Sequence, residues 1–126
     1  MEILCSVSLG ELVDKISILL IKQKHIQNEE KLKFIKEEET SLRKTLENLK
    51  LSGVEQYLDD LVAVNSKLWV IEDQLRDKER AKNFDHEFIE LARSVYFTND
   101  LRFKIKNEIN EKFGSSLREM KSYSNY

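Results

Sequence analysis

Apolar residues recur along this chain at steps of three and four, the spacing that gives an α-helix one face for a core. Leu9, Leu12, Val13, Ile16, Leu19 and Leu20 share a broad face, and Ile18 and Ile21 fall outside it. The first helix is therefore apolar nearly all round and is expected at the centre of the fold. Leu32, Ile35, Leu42, Leu46 and Leu49 draw a narrower, coiled-coil-like stripe on a second helix. Glu39 stands in one position of that stripe, and the opposite face is charged and reads as solvated. On a third helix Val54, Leu58, Leu61, Leu68, Trp69 and Leu75 lie on one arc. On a fourth, Phe88, Leu91, Ala92, Val95, Ile105, Ile109 and Phe113 do the same.

Helix starts are written between these stretches. Ser8-Leu9-Gly10-Glu11 and Ser52-Gly53-Val54-Glu55 have the form of capping boxes, and Val7 and Leu12 are placed as a hydrophobic staple. Asp85 is a further N-cap, with Phe84 and Ile89 as its staple, and Asn28 before Glu29 and Glu30 is a weaker start. The pattern predicts helices over about 8–27, 29–51, 53–82 and 85–114. Residues 1–7 form a short extended segment, and 118–126 are a polar tail without periodicity. The expected fold is all-α: one domain over 1–126, an antiparallel bundle of about four helices with long helical hairpins.

Polar residues interrupt two of the apolar arcs. Asn65 and Glu72 project into the arc of the third helix, and Arg76 lies at its edge. Asn99, Arg102 and Lys106 fall within the arc of the fourth, flanked by Tyr96. A charge left unpaired in such a place costs several kcal/mol, so these groups should pair or border a wet cavity. An antiparallel hairpin turning near residue 83 puts Asn65 level with Arg102, and Glu72 within about one to two turns of Asn99. Asn65, Glu72, Arg76, Asn99, Arg102 and Lys106 are thus the candidate ligand-binding residues, with the two cations of the fourth helix holding an anionic group. The same set can also satisfy itself as a buried polar layer that fixes helix register. Gln23, Glu11, Lys15 and Lys22 border the set from the first helix, and Glu11 with Lys15 reads as an ordinary surface pair.

Composition narrows the picture. A chain of 126 residues can bury a core without a metal or disulfide staple. Charged residues reach 35%, as long and partly exposed helices require. The chain has no proline and three glycines, which leaves little room for sheet or loop. Net charge is −2 with the signs intermixed, so no basic stripe marks nucleic acid as a partner. No apolar run is long enough for a bilayer, and a leader-like segment is not evident, so no membrane partner is expected. The lone Cys5 fits a reducing cytoplasm and reads as a small buried hydrophobe.

Metal and cofactor chemistry finds little support. Glu11-x-x-Asp14 and Glu87-x-x-Glu90 have the spacing at which two acids share magnesium, but both pairs stand in first turns, where acids suit the helix dipole. His86 and Glu90 lack a third ligand for zinc. No cofactor and no metal ligand set is expected, and no residue carries a catalytic assignment.

Several segments resemble a known family. They are Ser8-Leu-Gly-Glu-Leu-Val-Asp-Lys-Ile-Ser-Ile-Leu, Val64-Asn-Ser-Lys-Leu-Trp-Val-Ile-Glu-Asp, Phe88-Ile-Glu-Leu-Ala-Arg-Ser-Val-Tyr, Asn99-Asp and Lys121-Ser-Tyr. Together they resemble a family of small bacterial and phage helical proteins known as a domain of unknown function. The resemblance implies no activity, and Met120 stands where it implies a second acid before Lys121.

The leading functional expectation is a helical-bundle module that self-associates, a homodimer being favoured, or docks to a partner. The alternative is a small enzyme or a binding protein for an anionic metabolite, built on the polar cluster between the third and fourth helices. Magnesium-dependent nucleotide hydrolysis stands third.

Overall fold

The first amides of a helix have no partner within it, and three helices here begin where a side chain supplies one. In the computed structural model, which describes all of Met1–Tyr126, Ser8 Oγ accepts from the Glu11 amide at 3.1 Å, opening α1, Leu9–His25. Asn28 Oδ1 accepts from Lys31 at 3.0 Å, opening α2, Glu29–Asn48. Asp85 Oδ1 accepts from Phe88 at 2.9 Å, opening α4, His86–Lys112. The start of α3, Val54–Arg80, corrects the expected box at Ser52. Its N-cap is Gly53, at φ 86°, with no side-chain hydrogen bond. The chain makes its turn in the left-handed region there, which glycine enters at little cost, and Glu55 reaches Arg43 at 3.3 Å instead. No strand is present.

The architecture is a helical bundle with α1 inside it. α1 packs on each of the other three helices, α2 packs mainly on α1, and α3 pairs with α4 as a long hairpin. This is the arrangement its all-round apolar sequence demands: Val13, Ile16 and Ile21 are all closed to solvent. The core joins Leu12, Val13 and Ile16 of α1 to Leu46 of α2, Val54, Leu58 and Leu61 of α3, and Ile109 of α4. It therefore lies at one end of the bundle, at the start of α1 and α3 and the close of α2 and α4. Each such side chain stabilises the fold by about 1.5–3 kcal/mol.

Helix length sets what stays uncovered. α1 has 17 residues and α3 has 27, roughly 25 Å against 40 Å. The last residue of α1, His25, stacks on Trp69 with ring centroids 4.9 Å apart. Beyond that point α3 and α4 run on as a bare pair, and Val70, Phe84 and Ile89 are at least half exposed. α2 packs mainly on α1, at the edge of the bundle, so only Leu46 of its stripe is fully buried. Cys5 corrects the sequence reading: it is exposed, because residues 1–7 have no regular structure and do not enter the core. No helix is long and apolar enough to cross a membrane.

Candidate functional site at Arg102

The site begins with a close crossing of α1 and α4. A Cβ added to Gly10 would lie 2.5 Å from the carbonyl oxygen of Lys106, so only glycine admits the two backbones this near. The Gly10 amide donates to Asn110 Oδ1 at 2.7 Å, and the Leu9 amide donates to Ser115 Oγ at 3.2 Å. Two amides of the first turn that α1 cannot satisfy internally are thus met by α4 and the residues after it. The contact also sets register: Glu11 and Asp14, one turn apart, face Lys106 and Arg102, one turn apart.

Asp14 is completely buried. Its Oδ1 accepts from Arg102 Nε at 2.9 Å and from Asn65 Nδ2 at 2.9 Å, and its Oδ2 accepts from Arg102 Nη2 at 2.5 Å. The Asn65 amide also donates to Ser17 Oγ at 2.8 Å, and that hydroxyl donates to the Asp14 carbonyl at 2.6 Å. Three helices therefore converge on one carboxylate, and its charge is met by a bidentate guanidinium. The bond to Asp14 raises the Arg102 pKa above the ordinary arginine value, against the opposing pull of burial.

A second ion pair lies one turn along. Lys106 Nζ is 2.9 Å from Glu11 Oε2 and 2.9 Å from Glu119 Oε2, and Lys121 Nζ is 2.8 Å from Glu119 Oε1. Burial pulls the Lys106 ammonium down, and its hydrogen bonds to Glu11 and Glu119 more than offset this, leaving its pKa above the usual lysine value. Hydrogen bonds from Lys121 and Lys106 hold the Glu119 carboxyl below its usual range. Glu119 belongs to the tail, which turns back after Gly114 and lies along α4, where the Tyr123 and Tyr126 hydroxyls donate to Asp100.

Between α4 and this returning tail is an open cleft of about 590 Å³. Asn99, Arg102 and Lys106 border it from α4, and Glu119, Lys121 and Tyr123 from the tail. A smaller depression of about 180 Å³, between α1 and α3, is bordered by Asn65, Trp69, Glu72 and again Arg102. Arg102 stands at the junction of the two: its side chain is 28% exposed, and Nη1 makes no hydrogen bond within the chain. A guanidinium pinned on one edge by a buried carboxylate, with its remaining donors unpaired and a cleft beside it, is preorganised to receive an oxygen anion.

The structure distributes the candidate residues unequally. Asn99, Arg102 and Lys106 come together at the larger cleft, and Asn65, Glu72 and Arg102 at the smaller. Arg76 borders neither; it is exposed, 3.8 Å from Asp73 across the helix surface. The facing partners differ from those expected. Asn65 and Arg102 meet on Asp14, and Lys106 meets Glu11, so α1 supplies both carboxylates, while Glu72 is exposed. Glu11 does not complete the reciprocal half of its capping box, because its carboxylate bonds Lys106, and it forms no pair with Lys15. Each acid of Glu11-x-x-Asp14 is occupied by a cation of α4.

Asp14, Ser17, Asn110 and Glu119 are site residues that sequence reasoning missed. Asp14 had a signal: it is a carboxylate between Val13 and Ile16 on a helix with hardly a polar face, and its spacing from Glu11 is complemented by Arg102 and Lys106. Glu119 had none, since it lies outside any periodic segment. Comparison of the chain with known protein families, characterised proteins and solved structures finds no match.

Proposed function

We propose that this chain binds a small anionic metabolite in the cleft over Arg102. One observation carries the reading: Arg102, its guanidinium fixed edge-on by buried Asp14 and its Nη1 without a hydrogen bond within the chain, borders a cleft of about 590 Å³. The half-buried Asn99 amide, which has no partner within the chain, borders the same space. Clefts between helices of a bundle are common ligand sites, and a few fixed polar groups among aromatic walls are their usual lining. The proposed setting is the cytoplasm, where an exposed lone thiol such as Cys5 stays reduced.

The test is thermal melting of the protein against small carboxylates, phosphates and sulfate. Ligands of the cleft raise the midpoint in a saturable way. Asn99→Ala weakens that response several-fold without lowering the melting point of the free protein. If no anion at millimolar concentration moves the midpoint, the reading fails.

Self-association is a second reading, and it has its own observation. Phe97 and Leu101, one turn apart on α4, and Val70 on α3 are 40–50% exposed on the hairpin. Exposed apolar positions on one hairpin favour a contact with a second copy. Light scattering that returns a strict monomer at high concentration removes this reading and leaves the first untouched.

A further inference from the structure

Lys106 Nζ sits between two carboxylates of different standing. Glu11 is on α1 and fixed by the core; Glu119 is on the tail and bridges Lys106 to Lys121. Little apolar burial holds the tail down. Met120 is 85% exposed and Leu117 43%, and the contacts with α4 are the Glu119 ion pairs, the tyrosine hydroxyls on Asp100, and at the chain's end the exposed Tyr126 ring against Tyr96 and Phe97. Glu119 reaches the buried Lys106 ammonium from a segment without regular structure, and an incoming anion competes for the same position. The tail acid thus occupies, reversibly, the best cationic position in the cleft.

Charge balance then selects what can replace it. Arg102, Lys106 and Lys121 are matched by Asp14, Glu11 and Glu119. If the Glu119 side chain leaves, Lys106 and Lys121 lose the acid they share. A group with one negative charge and two oxygens replaces it like for like; a phosphate dianion brings one charge more into a cleft that Asp100 also borders. Phe103, Tyr96 and Tyr123 line the remaining space and suit a flat apolar body.

We propose that the ligand is a carboxylate with an aromatic or similarly flat body, and that it binds by exchange, taking the place of Glu119 on Lys106. This rests on the reading of the cleft as a binding site. Glu119 acts as an internal competitor, so the affinity of the intact protein is reduced by the fraction of molecules in which the tail acid is seated.

The experiment titrates benzoate and phenyl phosphate into the full chain and into Glu119→Gln, with calorimetry for affinity and amide NMR signals for location. Benzoate binds both proteins, and about tenfold more tightly to Glu119→Gln, where the competitor is gone. In the unaltered chain benzoate shifts the amide signals of Glu119 and Lys121, a readout independent of how the variant folds. Phenyl phosphate binds more weakly than benzoate to both. Equal benzoate affinity in the two proteins, or unmoved Glu119 signals at saturation, overturns the exchange. Tighter binding of phenyl phosphate overturns the carboxylate assignment and leaves the cleft standing. If neither probe binds either protein, the cleft reading falls with it.

Discussion

Asn65 and Glu72 occupy the same arc of α3, seven residues apart, and their fates are opposite. Asn65 is buried and donates two hydrogen bonds; Glu72 is exposed and pairs with nothing. The difference arises on another helix. α1 passes over Asn65 with Asp14 and Ser17, and it ends at His25 against Trp69, one turn short of Glu72. A polar residue in an apolar arc is therefore a demand for a partner only where a third element covers the arc. Where the covering helix stops, the same pattern is a solvated edge.

The sharpest way to break this comparison is to remove a carboxylate from each half. Asp14→Ala costs Asn65 one of its two acceptors and leaves Arg102 as an uncompensated, half-enclosed cation. Urea unfolding should show a loss of about 3–5 kcal/mol, toward the lower end because Arg102 retains some water. Glu72→Ala should change stability by no more than about 0.5 kcal/mol. Equal costs would mean that α1 does not enclose the Asp14 centre.

Gly10→Ala comes next and tests the crossing that sets the register. At an unobstructed helix position the change stabilises by up to about 1 kcal/mol. Here the new methyl meets the Lys106 backbone, and the helices must separate, at a net cost of about 1–3 kcal/mol. A stabilised Gly10→Ala protein would place α1 farther from α4 and loosen the Glu11–Lys106 pair with it.

These two sites also show how far the sequence could be read. The helices and the bundle were legible, because each helix has enough apolar turns to declare its face and three of the four have caps of ordinary chemistry. Helix 3's start was not, since Ser52 fits a capping box and only the backbone conformation at Gly53 shows the turn is made otherwise. Arg102, Lys106, Asn65 and Asn99 could be named in advance as polar intruders, but their partners could not. An arc on a helical wheel says which way a residue points; it does not say how long the neighbouring helix is or which one lies there. Asp14 was hidden by its nearness to the start of α1, where an acid reads as suiting the dipole, although it is the sixth residue of the helix. Glu119 was invisible because tails have no period.

A smaller effect sharpens the boundary itself. His25→Ala removes the stack on Trp69 at the close of α1, and should cost about 0.5 kcal/mol, the low end for a ring pair open to water. Trp69 fluorescence should report the change. An unaltered emission would mean that α1 ends elsewhere, and Glu72 would then need a different explanation for its exposure.

The tail, the least firmly held wall of the cleft, should respond to pH at both extremes. The hydrogen bond to Asp100 raises the Tyr126 hydroxyl from its ordinary value of 10.0 to about 12. Its contribution is whole below pH 10 and is lost as pH rises through about 12, when the phenolate can no longer donate. Glu119 has the reverse sign. Its pKa is held below the ordinary 4.5 by Lys121 and Lys106, so its contribution is whole above 4.5 and is lost as pH falls through the lowered value. Phenolate absorbance should therefore show a tyrosine that ionises near pH 12, and tail amide signals should move toward those of a free chain in acid. Absence of that late ionisation would detach Tyr126 from Asp100. The tail would then have Glu119, Tyr123 and the packing of the Tyr126 ring on Tyr96 and Phe97 to hold it beside α4, and the cleft would be a more open surface than the intact contacts make it.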